Sequence, residues 1–280
     1  MTHIMLVNHY VNTPLKRVLW VTYAIFWLSL LVYVRIIKPF IMLRHPYVVI
    51  KVIEERGNAW TLIIAPDGHK GIRFMPGQFA WLTVGQSPLS DAEHPFSISS
   101  SAADPRLLTF TIKALGDFTS TIKDLVSGQR VYIDGPFGAF SIDRHPQSER
   151  FAFIAGGIGI TPIMSMLRTM ADREDKRPCI LFYANRTWAD ATFREEIELL
   201  KQRLDLHIVW VLSSPDTDWQ GERGFITTDV LAKYLPKPEK RNSQEIFICG
   251  PKPMMDSVEK ALAHLGISLD DFHSERFDLV

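Results

Sequence analysis

FAFIAGGIGITPIMSML, residues 151–167, is an apolar run that breaks at three glycines and resumes with apolar residues at helical spacing. The pattern predicts a buried strand, a glycine turn and a helix with Pro162 in its first turn, where proline forfeits no hydrogen bond. Gly156, Gly157 and Gly159 allow backbone to approach a diphosphate. A helix N-terminus, with Thr161 in the same turn, directs free amides and about half a positive charge towards it. A glycine turn by itself also suits a plain strand-to-helix connection, so its surroundings decide between the two.

Three further apolar runs follow, CILFYAN (179–185), LHIVWVLSS (206–214) and EIFICGP (245–251), each with helical periodicity after it. Strands alternating with helices predict a parallel sheet covered on both faces, with ligands beyond the strands' carboxyl ends. Cys249, Gly250 and Pro251 then arrive at the same edge as the glycine turn. Cys249 alone reads as a packed thiol, and Met254 and Met255 alone read as helix packing. At the end of CILFYAN stands Arg186 rather than an acid. That position is open to two readings, pairing with the 2′-phosphate of NADPH or a solvent-facing charge, and Asp190 reads as a helix N-cap.

Before Arg150 the rhythm is different. YVVIKVIE, AWTLIIAP, GQFAWLTVG, PFSISS, LLTFTIKAL and RVYIDG are six short β-branched and aromatic stretches separated by turn residues, which predicts a small antiparallel barrel. SIDRHPQSER (141–150) reads as the linker. Residues 46–147 are therefore assigned to a β-barrel and 148–280 to an α/β parallel-sheet domain of Rossmann-like kind.

Residues 1–45 are assigned to a membrane anchor. VLWVTYAIFWLSLLVYV (18–34) carries no charge, and a span of about 18–37 reaches roughly 30 Å as a helix, enough to cross hydrocarbon. A cleaved signal peptide lacks support because no small-residue site follows the run, and a soluble helix would carry a polar stripe. Arg35, Lys38 and Arg44 outnumber Lys16 and Arg17, which places the C-terminal domains in the cytoplasm of a single-pass cell-membrane protein.

Composition narrows the chemistry. The 280 residues hold 31 basic and 31 acidic side chains, a net charge of zero that offers nucleic acid no basic field. Two cysteines, Cys179 and Cys249, exclude a disulfide scaffold, a self-contained four-cysteine iron–sulfur cluster and a thiolate zinc site, and no metal ligands are assigned.

HPFSIS (94–99), IKALGDFTS (112–120), GPFG (135–138), GGIGITP (156–162), CGPKPM (249–254) and SERF (274–277) occur in the order seen in the ferredoxin–NADP reductase superfamily. The chain resembles that superfamily along nearly its whole length. The His-Pro-Phe-Ser form, the Gly-Asp-Phe-Thr stretch and the preceding apolar helix look most like its ferric reductase and NADPH oxidase branch. The resemblance implies an FAD-binding barrel, an NAD(P)H-binding sheet domain and a flavin ring between them. It implies that Phe96 lies against the ring, that Ser97 hydrogen-bonds near N5, and that Phe277 covers the other face until nicotinamide displaces it. Cys249 and Glu275 border the hydride-transfer locus and, with Ser97, form the catalytic set. His94, Pro95, Ile112, Lys113, Gly116, Phe118, Thr119 and Ser120 belong to the flavin side. Gly156, Gly157, Gly159, Thr161, Pro162, Arg186, Cys249, Gly250, Pro251 and Met254 belong to the nicotinamide side.

The expected activity is that of a membrane-bound NAD(P)H:acceptor oxidoreductase. Hydride passes to FAD and single electrons leave for a haem or ferric acceptor. NADPH is the expected donor, with NADH as the other candidate. Haem is expected only in a partner or in a membrane segment upstream, because the anchor contains no histidine and His3 and His9 lie in too short a segment. Two alternatives stand beside this reading: a flavin reductase component serving an oxygenase or other soluble acceptor, and a non-catalytic membrane-tethered flavin or nucleotide sensor.

Overall fold

β-Branched alternation in the first half resolves into six antiparallel strands: β1 (Tyr47–Glu55), β2 (Ala59–Pro66), β3 (Phe79–Val84), β4 (His94–Ser97), β5 (Leu108–Lys113) and β6 (Arg130–Phe137). They pair in the order β4-β3-β6-β1-β2-β5, and a bridge between Ile98 and Phe110 links the two ends of that order. The inward positions Leu62, Ile64, Leu82, Ile98 and Phe110 are fully buried, so a single apolar face is shared by all the strands that contribute them. A short helix, α3 (Asp117–Thr121), follows β5. These features come from a computed structural model that describes residues 13–90, 93–104, 106–236 and 244–277.

The second half is a parallel sheet of β7 (Arg150–Gly156), β8 (Cys179–Asn185), β9 (Leu206–Leu212), β10 (Glu222–Arg223), β11 (Gln244–Cys249) and β12 (Phe272–Glu275), in the order β10-β9-β8-β7-β11-β12. Successive residues of β7 face opposite ways. Phe151, Phe153 and Ala155 join a core with α4 (Ile160–Asp172) and α5 (Arg194–Leu200). Ala152 and Ile154 join a second core with α6 (Thr228–Tyr234) and α7 (Lys252–His264). Burial on both faces explains why these strands read as continuous apolar runs rather than as alternation.

Some expectations are corrected by this geometry. α4 is opened by Ile160 rather than by Pro162, which is its third residue and lies in the first turn as expected. Asp190 is not an N-cap: Thr187 caps a 3₁₀ turn at Trp188–Asp190, and the Asp190 carboxylate accepts hydrogen bonds from the Thr187 amide and hydroxyl. β12 follows α7 as an edge strand that the sequence pattern did not announce. The stretch 141–150 is no loose tether; Ser141, Ile142 and Ser148 are buried, and Asp143 pairs with Arg173, the C-cap of α4.

Ahead of the barrel, α1 (Pro14–Val32) runs through a π-helical stretch, Tyr33–Ile37, into α2 (Lys38–Arg44). Leu15, Phe26, Trp27 and Leu31 are each at least half exposed. The combined Pro14–Arg44 helix is long and apolar enough to cross a membrane by length and composition. Its end is fixed to the barrel by buried Pro39 and Met42 and by an ion pair from Lys38 to Asp134 on β6. Lys38 is thus held by the protein rather than left as a free interfacial charge. His3 and His9 lie outside the described residues.

Candidate active site

β7 and β11 are adjacent, with Ala155 opposite Cys249, but they lead in opposite directions across the sheet. β8 to β10 lie on one side and β12 on the other. A crevice opens beyond the carboxyl ends of strands at such a switch point. Gly156, Gly157, Ile158, Gly159 and Thr161 after β7, with Cys249, Gly250 and Pro251 after β11, form one wall of a cavity of about 340 Å³. The facing wall comes from the barrel: Pro95, Phe96 and Ser97 of β4, Thr111, Ile112 and Lys113 of β5, then Leu115 and Thr119. Phe277, beyond β12, also lines it and meets Phe79 edge-on at 6.2 Å between ring centroids.

Residues from five of the six separated motifs therefore converge on one predominantly apolar space, GPFG (135–138) being the one that does not line it. Thr111, Leu115 and Ile158 also line it without having been assigned to the site: Thr111 is an ordinary strand residue, and Leu115 and Ile158 are the apolar members of the motifs that hold them. His94, Gly116, Phe118, Ser120, Pro162, Arg186, Met254 and Glu275 do not line it. His94 stacks on Phe118 at 3.8 Å, and burial lowers the imidazole's pKa. Ser120 donates to the Gly116 carbonyl, and the Thr119 hydroxyl accepts from both the Leu115 and Gly116 amides, so these residues shape the turn after β5. Arg186 is exposed at the end of β8.

The glycines divide the work differently from the sequence expectation. A Cβ on Gly159 would lie 2.3 Å from the Cys249 carbonyl oxygen, and one on Gly156 would lie 2.5 Å from the Met254 sulfur. Both glycines serve close packing of the turn against the end of β11, with Met254 as the wedge behind it. Gly157 has φ +52° and nothing within 4 Å of a Cβ, so it alone of the three presents bare backbone to open space. The Tyr183 hydroxyl donates to the Gly157 carbonyl at 3.1 Å and holds that conformation.

The cavity suits a flat aromatic ring with few polar contacts. Apolar and aromatic walls would cover its faces, and polar handles are sparse and placed. Ser97 is 6% exposed, and its hydroxyl has no hydrogen-bond partner among the described residues, which leaves it available to a bound group. Lys113 supplies positive charge on the barrel side. Cys249 is buried, and desolvation pushes its thiol well above the ordinary range, so it is held as a neutral thiol. Glu275, opposite Cys249 in the strand register, is half-buried, and its carboxyl is raised above the usual value by burial.

Residues 61–141 match the FAD-binding domain family and residues 153–260 the oxidoreductase NAD-binding domain family. An NADH-cytochrome b5 reductase 1 of Debaryomyces hansenii is 32% identical over 197 residues, which cover 66% of this chain and 68% of the relative. The chain belongs to the ferredoxin–NADP reductase superfamily. It is an FAD-dependent NAD(P)H oxidoreductase, and the two walls of the cavity are its FAD-binding and NAD(P)H-binding domains. The glycine betaine monooxygenase reductase subunit of Pseudomonas aeruginosa is 31% identical to this reductase over 240 residues, 84% of the chain and 64% of the relative. The chain spans 58 to 64% of the length of the demethylase and monooxygenase reductase subunits it matches. Among solved structures, the ferredoxin reductase in carbazole 1,9a-dioxygenase superposes with a TM-score of 0.70 at 26% identity, over 83% of this chain and 69% of that one.

Proposed function

We propose that this reductase is the electron-delivering component of an oxygenase system, taking hydride from NAD(P)H and supplying single electrons to a separate oxygenase subunit. The observation that carries the reading is the single cavity walled by Phe96 and Ser97 on one side and by Gly157 and Cys249 on the other. It supports a shared space in which a ring held by the barrel could meet a nicotinamide held by the sheet. Relatives named as monooxygenase and demethylase reductase subunits favour an oxygenase as the acceptor over ferric iron.

FAD, when bound, supplies the conversion of a hydride pair into single electrons. The chain's own residues position and protect that exchange. Phe96 and Phe277 would present aromatic surface to a bound ring, and the Ser97 hydroxyl would offer it a hydrogen bond. Gly157 and Thr161 would hold the nicotinamide nucleotide's diphosphate region, and Lys113 would add positive charge on the flavin side. Neutral Cys249 would border a bound nicotinamide without presenting a charge to it. Glu275 holds a proton readily because burial disfavours its charged form. Arg186 is the residue that would favour NADPH over NADH.

A second reading, a membrane ferric or haem reductase, is favoured by one observation, the exposed apolar helix Pro14–Arg44. Anaerobic NADPH should bleach the flavin band of the FAD-loaded full chain. Capture of the chain from native membranes should then bring an oxygenase whose turnover depends on it. Co-capture of a membrane haem protein that the reduced chain reduces directly would establish the second reading instead. A flavin band that survives NADPH and NADH alike would sink both.

A further inference from the structure

Far from the cavity, three side chains converge that no sequence motif joins. His145 lies in the segment between the domains, Glu245 is the second residue of β11, and His273 is the second residue of β12. His145 Nδ1 is 3.3 Å from Glu245 Oε1, and His273 Nε2 is 2.7 Å from Glu245 Oε2. One ligand atom from each of the three lies within 4.8 Å of the others. The two imidazoles pack at 4.2 Å between centroids with planes 37° apart, so both rings present a nitrogen to the same carboxylate. Phe247, fully buried, lies 5.9 Å from His145 and 5.1 Å from His273 and forms an apolar floor.

We propose that His145, Glu245 and His273 form a binding site for a divalent transition-metal ion of the zinc class. Two imidazole nitrogens and one carboxylate oxygen are the borderline donor set that such ions take. A fourth, tetrahedral position remains for water. Ligand atoms in a tetrahedral zinc site stand about 3.3 Å apart. The pairs already at 2.7 and 3.3 Å match that spacing to within small side-chain rotations. The side chains are 23%, 19% and 28% exposed in the order His145, Glu245, His273, which gives an ion an entry path and keeps the donors partly dry. Neutral imidazole is the ligating form.

The location is separate from the cavity. Along β11 the same face carries Glu245, Phe247 and then Cys249, so four residues at about 3.3 Å each place the ligand Glu245 roughly 13 Å below the cavity wall. An ion there would cross-link the interdomain segment to both β11 and β12, the strand that leads to Phe277. The site does not depend on which acceptor the reductase serves.

The test is zinc binding by the full chain loaded with FAD, after chelator treatment, measured by calorimetry and by competition with a chromophoric chelator. One zinc per chain is expected. His145→Gln, Glu245→Gln and His273→Gln should each weaken it by at least about tenfold, and His264→Gln, on the exposed end of α7, should leave it unchanged. Zinc absorption spectroscopy on the unmodified chain tests the same point without a variant, and should show two imidazoles and a carboxylate. No saturable binding, binding that survives all three substitutions, or a ligand shell containing sulfur would overturn the proposal and leave the cluster as a carboxylate-bridged histidine pair.

Discussion

At Gly159 the backbone has no room for a methyl group, because the atoms it would strike, 2.3 to 2.7 Å away, belong to the main chain of Cys249 and Gly250 and cannot swing aside. Gly159→Ala should therefore lower folding stability by about 1–3 kcal/mol and displace the end of β11. Gly157→Ala meets open space and carries only the left-handed penalty of about 1–2 kcal/mol, while its methyl enters the cavity. Nicotinamide affinity should suffer more in the second variant and the denaturation midpoint more in the first; the reverse ranking would reassign the two glycines. Glu275 gives a pH test. Burial holds its folded pKa above the unfolded one, so its contribution to stability is complete below the unfolded value and is lost as pH rises through the folded value. Glu275→Gln cannot ionise and should gain on the parent chain in guanidinium unfolding as pH rises above the ordinary carboxylate range. A difference that stays constant with pH would show that the carboxyl is not desolvated. For Arg186, exposed and at the end of β8, alanine should weaken NADPH binding selectively, by about tenfold or more. Equal losses for NADH and NADPH would leave the arginine as a surface charge.

α4 does more than cover the sheet. Its Ser165, Arg168 and Thr169 lie on one face, as spacing of three and four residues requires. Ser165 donates to the Ser100 carbonyl at 2.7 Å, Arg168 to the Ser99 carbonyl at 2.5 Å, and the Thr169 hydroxyl accepts the Ala102 amide at 2.8 Å. The stretch just after β4 is thereby clamped to the NAD(P)H-binding domain, which fixes Ser97 against the glycine turn. Thr169→Val leaves the Ala102 amide without its acceptor and should cost about 1–3 kcal/mol, read as a lower unfolding midpoint together with slower flavin reduction by NADPH. A midpoint unchanged from the parent would mean that the clamp carries no load. None of this was legible in the sequence, where Ser165 and Thr169 are merely polar residues in an amphipathic helix. The strands that bury one or two faces were legible, because alternation or a continuous apolar run is what burial selects. β10 and β12 were not, since Glu222–Arg223 and FHSE have no such pattern and pair only because an open edge of the sheet accepts their backbone. The cavity was legible as a set of motifs, but the separate tasks of Gly156, Gly157 and Gly159 depend on how far β11 stands from β7, which spacing along the chain does not encode.

Across the whole molecule, the remaining question is what the Pro14–Arg44 helix does. It is 31 residues long, or about 46 Å at 1.5 Å per residue, and its apolar side chains are exposed all round rather than along one stripe. A helix packed against a protein core would bury a face, and this one buries only its C-terminal end, at Pro39 and Met42, on the barrel. Hydrocarbon is the environment in which such a surface costs nothing, so the helix is proposed to hold the two domains at a membrane, with the Lys38–Asp134 pair orienting the barrel on it. Phe26→Asp combined with Leu30→Asp places two acids near the middle of the span, at about 2.5–3.5 kcal/mol each for insertion. The doubly substituted chain should pass from the alkali-resistant membrane pellet to the supernatant, keep its NADPH-dependent flavin bleaching, and lose electron delivery to a membrane-resident acceptor while keeping delivery to a soluble one. If the parent chain is itself released by alkaline carbonate, the anchor assignment fails, and the exposed surface of α1 must be covered by another protein instead.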